Sequence, residues 1–502
     1  MDETKTDKMF QDTIKEYEKE LEKEYDNENS GEINENYEKI ASKFIRVAEF
    51  FEKTLIPNDE ESQYLKNLKK FGLVLFYLAS PKIRKLDYVK DKFAVFGAAS
   101  DIEDSEISLT KGALCFILGR HDEATDWFRI SNRSILRILT FLYKEDEEKL
   151  IWKTEIINNL LKTDHKDGLL YRSITDKVPE EKKDYYRKVF LQSIFAISRL
   201  YVNDPDENLV AHYREKDVAQ NLLFSDNHLI NKFRLNAIDY SNDPTEGETL
   251  LTYLYGKDEK DESDEELNDY EAFVGSFVFD YDNLNMFRLY GKENGKEGTG
   301  LSLILKDNFF NKFAEMGTDS QSNDKSSLYR CIYIDPEPKT EPYFITVGQK
   351  DEFLFYKDGV KDKDAIKEKY KAYAKRMDII ISDVRKGIKD IKKIIDDNGL
   401  ERKVVRELLI YLRYLVKHIA FKEEQECRIV KILPLSNRKE IANDGREMYL
   451  EYPANDKVPI SDYIKEIYFG PKATDFDLFK SMLKYKDLDK KIGCEKSKNP
   501  LA

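Results

Sequence analysis

The apolar period of this chain changes at Asn203-Asp-Pro-Asp-Glu-Asn208, and this change constrains the fold more than any other feature. Upstream, Ile40, Phe44, Val47 and Phe51 recur at steps of three and four, as do Ile135, Ile138, Phe141 and Leu142. Each set therefore lies on one helix face. From Tyr37 to Tyr201, Pro and Gly are sparse and strand-like alternation is absent. Downstream come short runs rich in Val, Ile, Phe and Tyr: LVAHY, FRLNAI, AFVGSFVF, GLSLIL, LYRCIYI, ECRIVKI, EMYLEY and IKEIYF. These read as strands. Between the first two, EKDVAQNLLFSDN reads as a short helix with Val218, Leu222 and Leu223 on one face.

The expected architecture is α+β overall. A charged segment (1–35) precedes an all-α helical half (36–202) packed as antiparallel pairs. An α+β domain (208–485) and a tail (486–502) follow. An acidic, Pro-containing turn between two apolar textures is a natural domain boundary. Ile366, Tyr370, Met377, Ile381, Val384, Ile388, Ile391 and Ile395 trace a long amphipathic helix, with Asn398-Gly399 as a left-handed stop and a second helix over about 401–420. This predicts a helical hairpin inserted at 363–420, packed on the sheet or offering a homodimer surface. Two polar loops, 256–269 and 317–327, read as solvated connections.

Composition narrows the function classes. The net charge of −14 argues against a broad nucleic-acid-coating or polybasic membrane-binding surface. The longest apolar run, Phe71 to Ala79, is about half of what a bilayer requires. The first residues carry no apolar core of signal-peptide length. The four Cys stand far apart, at 115, 331, 427 and 494, and the five His are isolated, so neither a disulfide framework nor a metal site is expected. A cytoplasmic location, with reduced thiols and no membrane attachment, is the expectation.

In the helical half, Gly112, Gly119, Ala124 and Phe128 fit the small and aromatic positions of a tetratricopeptide repeat, in one copy without a 34-residue period. An ordinary helical hairpin explains them equally well. Either way this half reads as a platform for a protein partner.

Chemistry is expected in the α+β half, where four clusters stand out. His212-Tyr213 ends an apolar strand: the imidazole can bond a hydroxyl and the ring can stack. Asn242-Asp-Pro-Thr-Glu246 is a rigid turn whose Asn242 amide could face a ligand. Phe287-Arg288-Leu289-Tyr290-Gly291 precedes Gly295, Gly298 and Gly300, and Arg288 offers a fork for phosphate or carboxylate. Glu424, Glu426 and Arg428 alternate on entering a strand, which would put two carboxylates and a guanidinium on one face.

In this order the clusters resemble a bacterial domain-of-unknown-function family with His-Tyr, Asn-Asp-Pro-x-Glu, Phe-Arg-x-Tyr-Gly and Glu-x-Glu-x-Arg motifs, over about 208–480. The opening strand, helix and strand, with a Glu on a late strand, also resemble ADP-ribosyltransferases, including toxins that modify nucleic acid. Arg214 departs from the Thr or Ser more usual there. The resemblance implies an ADP-ribosyltransferase-like domain of toxin, effector or antiviral-defence type, with NAD as co-substrate and a protein or nucleic acid as acceptor. It implies that His212 binds a ribose hydroxyl, with Tyr213 and Asn242 nearby. Arg288 would contact the pyrophosphate and Tyr290 would stack on nicotinamide. Glu426, supported by Arg428, would stabilise the oxocarbenium-like transition state, and Glu424 would guide the acceptor. His212 and Glu426 should then share a sheet face, on strands adjacent or one apart. An NAD glycohydrolase, or a non-enzymatic scaffold with a ligand-sensing domain, remains the alternative.

Overall fold

A computed structural model of the chain describes residues 121–131, 135–136, 138, 156–162, 165–224, 232–238, 243, 245–256, 270–292, 295–310, 325–336, 344–357, 363–453 and 458–499. The chain divides into two compact units, 1–133 with 141–169 and 134–140 with 170–502. In the first, helix α1 (His121–Ser131) buries Ala124 and Phe128, the small and aromatic positions of the repeat-like segment. Gly112, Gly119 and most of the remaining N-terminal half lie outside the described residues. Among those described within 37–201 there is no strand segment, only helices such as α1, α2 (Lys166–Thr175) and α3 (Glu180–Leu200), and an isolated bridge from Tyr201 to Tyr329.

The second unit starts with α3 and continues through β1 (Leu209–Arg214), α4 (Lys216–Phe224), β2 (Phe233–Ala237), α5 (Thr249–Tyr255), β3 (Tyr270–Val278), α6 (Leu284–Leu289) and β4 (Leu301–Lys306). Next come β5 (Tyr329–Arg330), β6 (Ile332–Ile334), β7 (Ile345–Val347), α7 (Glu352–Lys357), α8 (Lys363–Asn398), α9 (Arg402–Leu408), α10 (Ile410–Arg413) and β8 (Val416–His418). The chain closes with β9 (Glu426–Pro434), β10 (Ile441–Asn443), β11 (Met448–Tyr452), α11 (Ile460–Tyr463), β12 (Ile464–Phe469), α12 (Phe476–Tyr485) and β13 (Gly493–Lys496). All eight strand-like runs form strands, LYRCIYI splitting at Cys331 into β5 and β6.

The boundary expected at 203–208 falls instead near residue 170. Helix α3 packs along α8. Gly387 lets the helices close on Ala196, and Arg199 pairs with Asp383 at 2.8 Å. Periodicity assigns a helix its apolar face but not the partner that covers it, so α3 read as part of the helical half. The acidic turn is likewise a clamp rather than a free linker. Asp204 accepts two bonds from Arg376 of α8, at 2.6 and 2.9 Å, and Asp206 a third at 2.8 Å. Glu207 forms a fully buried ion pair with Arg330 and accepts the Tyr373 hydroxyl.

Helix α8 buries Ile366, Met377, Val384, Ile388, Ile391 and Ile395, and Gly399 stops it at φ 54°, both as expected. The second helix is shorter than expected. It breaks at Leu409 and ends at Arg413, because Leu412, Tyr414, Leu415 and Val416 are buried in succession. Burial on all sides suits an enclosed strand better than a one-faced helix, and β8 joins β6 and β7 in a small sheet.

The main sheet runs β10-β11-β2-β3-β1-β4-β12-β13, with β9 on the other edge of β3 and β5 on β9. Its pairs are antiparallel except β12 with β13. Strand β3 pairs with β9 over its whole length. On its other edge it holds β2 only at Phe273 and Val274, and β1 only at Val278. The sheet therefore forks along Gly275–Phe277, and Ser276, inside a central strand, is exposed. One face of the sheet is the main core, with Phe233, Phe277, Leu303 and Ile429. The other carries a smaller cluster of Ala211, Tyr213, Val278, Met286 and Phe287.

Candidate functional site

The fork opens into a cavity of about 200 Å³. Its walls include His212, Tyr213, Tyr290, Glu424, Glu426 and Arg428, so the structure brings together six of the eight residues singled out in the sequence. Arg288 is not among them: it sits on the surface end of α6, half-exposed and paired with Glu297 at 2.9 Å. Arg288, expected to contact the pyrophosphate, thus does not line this cleft. The segment carrying Arg288 is a short helix, capped by Asn283, and turns Arg288 outward. Asn242 lies outside the described residues. The adjoining Asp243 accepts the Thr245 amide and hydroxyl, at 2.9 and 2.6 Å, which makes the expected rigid turn.

The carboxylate end of the cleft is a charge network. Arg428 donates from Nε to Glu426 at 2.7 Å, from Nη1 to the Tyr414 carbonyl at 3.0 Å, and from Nη2 to Glu246. Lys417 donates to Glu424 at 2.5 Å and to Glu426 at 2.7 Å, and lies 3.8 Å from Glu246. The Tyr290 hydroxyl donates to Glu424 at 2.6 Å, and the Tyr333 hydroxyl donates to no carboxylate but accepts the Glu426 amide at 2.7 Å. All five charged side chains are buried.

Three carboxylates thus face two cations, which leaves the cluster with a carboxylate in excess. Burial alone would raise Glu426, but Arg428 and Lys417 hold its carboxyl well below the usual range. Glu424 is pushed the other way, first by burial and then by the Glu426 charge, against the opposing pull of Lys417. The two glutamates are therefore differentiated: the adjoining cations favour the anionic form of Glu426, and burial favours the protonated form of Glu424. Glu424 does not lie on the strand, as the alternation suggested. It closes a 3-10 turn, and Gln425 in the left-handed region (φ 48°) redirects the chain into β9. The pair is nonetheless brought together, by Lys417.

Sequence reasoning missed Lys417 and Glu246. A lone Lys inside the apolar run Tyr414–Ala420 was a signal for the first. The second already stood in the Asn-Asp-Pro-Thr-Glu motif, where it read as part of a rigid turn.

His212 departs from its expected role. Strand β1 lies one strand from β9, as expected, but Ala211, Val278 and Glu426 form one cross-strand row. Neighbours in such a row share a face. His212 therefore leaves the opposite face from Glu426, and its ring packs on Phe233 and Phe277, with centroids 4.7 and 5.5 Å away. The ring leans into the fork. Nδ1 meets the Ser276 carbonyl at 2.8 Å and Nε2 accepts from Arg214 Nε at 2.7 Å. Both nitrogens are thus engaged, with the Nδ1–H tautomer implied. Burial, then the Arg214 charge, pushes its pKa down to about 3, so the ring is neutral. A direct ribose contact of the kind expected would have to break one of these bonds. Tyr213 builds structure: its hydroxyl donates to the Asp280 carbonyl at 2.9 Å and accepts the Asn283 amide at 2.8 Å.

Gly348 fixes the position of Glu426. Its amide bonds the Cys331 carbonyl at 2.8 Å while the Cys331 amide bonds the Glu426 carbonyl at 3.0 Å, and a Cβ on Gly348 would run into that Glu426 carbonyl. Gly348→Ala is expected to cost about 1–3 kcal/mol of stability, as overpacking against rigid backbone does. Urea unfolding of the full chain checks this, and an unchanged midpoint would show that the contact yields.

Residues 286–429 match the family model described as Protein of unknown function (DUF2971). The matched span holds Tyr290, Lys417, Glu424, Glu426 and Arg428, and ends within β9. Comparison with curated proteins and with solved structures finds no match.

Proposed function

We propose that the forked-sheet domain is an ADP-ribosyltransferase-like enzyme that cleaves the nicotinamide–ribose bond of NAD in this cleft. One observation carries the reading: Tyr290 and the late cluster of Glu424, Glu426 and Arg428, far apart in sequence, converge with strand β1 on one cavity, where the two glutamates are shifted in opposite directions. Breaking the C1′–N bond sends its electron pair to the nicotinamide nitrogen and builds positive charge on the ribose. A fixed carboxylate network beside that carbon stabilises the charge. An acceptor hydroxyl or amine, or water, then bonds C1′ and gives its proton to Glu424, whose raised pKa suits it to take one. The cavity is small for a dinucleotide and suits one sugar–base unit, the remainder lying over its mouth.

A ligand-sensing domain without turnover is the second reading, favoured by one fact. Both Glu426 oxygens are already taken by Arg428 and Lys417, so its charge is largely committed to the protein. In the transferase reading Glu424, rather than Glu426, is accordingly the residue nearest the chemistry.

The test is nicotinamide release from NAD by the purified full chain, with protein and nucleic-acid acceptors offered in turn. Release with label on an acceptor identifies a transferase, and release with free ADP-ribose identifies a glycohydrolase. No release under any condition supports the sensor. A pH dependence follows as well. Glu424 must be deprotonated to take a proton, and its pKa is raised, so the acidic limb of the rate profile should lie above the ordinary glutamate range. Its contribution to stability has the opposite sense: the folded state binds the extra proton, so stability from this group is present at low pH and is lost as pH rises through the folded pKa. A rate profile flat from pH 4 to 8 would remove Glu424 as the base.

A further inference from the structure

Arg214 is the residue that departs from the resemblance, and its surroundings give it a use. Its Nε is spent on His212, while its two terminal nitrogens meet no acceptor among the described residues. The neighbouring cations are compensated: Lys232 pairs with Glu451 at 2.9 Å, and Arg234 with Asp444 at 3.2 Å while stacking on Tyr449. Arg214 is partly buried, and burial lowers its pKa against the opposing pull of the Glu447 and Glu215 charges. A guanidinium fork left open to a cavity can take an anion without breaking an existing hydrogen bond.

The fork points to a meeting of two spaces. A second cavity, of about 310 Å³, lies beside the cleft and is lined by Arg214, Asn221, Lys232, Arg234, Asn236 and Glu447. His212, Arg214, Arg234 and Asn236 line both cavities. The first cavity carries the carboxylates, whereas in the second Lys232 and Arg234 are already paired and the Arg214 fork is left beside one lining acid, Glu447.

We propose that Arg214, held in place by neutral His212, forms a subsite for the phosphoryl oxygens of a phosphate ester or diphosphate where the two cavities meet. A planar fork matches two phosphoryl oxygens, which a lysine cannot do. His212 is a positioning residue here. Its Nδ1–H is fixed by the Ser276 carbonyl, so Nε2 is presented as an acceptor that sets the rotation of the guanidinium. The Arg that breaks the family pattern and the His that fits it then act as one unit. The subsite rests on the cleft being the ligand site, but it requires no turnover.

Calorimetric titration of the full chain with inorganic pyrophosphate, ADP and adenosine tests this. Pyrophosphate and ADP should bind, and adenosine should bind much more weakly than ADP. Arg214→Ala should weaken pyrophosphate by about tenfold or more, and Arg214→Lys by less. His212→Gln, whose amide oxygen can stand where Nε2 does, should keep most of the affinity. His212→Asn, which can meet Ser276 but not Arg214, should lose it. Thermal melts confirm that each variant is folded. Equal pyrophosphate affinity in the wild type and Arg214→Ala overturns the subsite, as does no binding to the wild type. Equal loss in His212→Gln and His212→Asn overturns the positioning role. Pyrophosphate binding without nicotinamide release contradicts the NAD reading alone, and nicotinamide release with pyrophosphate affinity unaffected by Arg214→Ala contradicts the subsite alone.

Discussion

Arg428→Met is expected to destabilise the α+β domain by about 3–5 kcal/mol, the usual result of removing one partner from a buried ion cluster. Arg428 is 2% exposed and is the cation shared by Glu246 and Glu426. Without it three carboxylates would face Lys417 alone, and the Tyr414 carbonyl would lose a donor. Protonation of Glu424, whose pKa is raised, would relieve part of the repulsion, so the loss should shrink as pH falls. Urea denaturation at neutral and acidic pH measures both effects. A loss below about 1 kcal/mol would mean that the cluster is open to water and that Arg428 is free to serve a ligand.

The second large effect concerns the two glutamates. Glu424→Gln is expected to leave the fold intact, because the amide keeps the Lys417 and Tyr290 contacts in reach, and to lower nicotinamide release by on the order of 10²-fold, since the proton acceptor is gone. Glu426→Gln should act differently. It removes the anion that binds Lys417 and Arg428, so stability falls, and it removes the charge that raises Glu424, so the acidic limb of the remaining activity should move to lower pH. A slowed reaction with an intact fold in one variant, and lost stability with a displaced acidic limb in the other, is a signature that two interchangeable carboxylates could not give.

Much of the sheet was legible because its strands are short apolar runs whose composition is independent of their partners. The same holds for α8, whose stripe and Asn398-Gly399 stop appear directly in the structure. Pairing partners were not legible. That α3 belongs with α8, that Asp204, Asp206 and Glu207 clamp α8, and that β8 replaces the end of a helix all follow from contacts between distant segments. At the site, the late Glu-x-Glu-x-Arg cluster was found because charges beside an apolar strand are costly unless used, and Tyr290 because it stands in the Phe-Arg-x-Tyr-Gly motif of the resemblance. Lys417 and Glu246 were missed since each looked local: one a stray lysine in an apolar run, the other part of a rigid turn. His212 was identified as important but its direction was not, because facing depends on register, and the single β1–β3 pair at Ala211 and Val278 sets that register. The direction of Arg288 was not legible for a related reason, since its place on a short helix turns the side chain out to solvent.

The most direct measurement of the central claim is single-turnover release of nicotinamide from labelled NAD by the wild type and Glu424→Gln at matched, folded concentrations. The account predicts release by the wild type, about 10²-fold slower release by Glu424→Gln, and similar NAD affinity for both. No release by the wild type, or equal release by the two proteins, would contradict it.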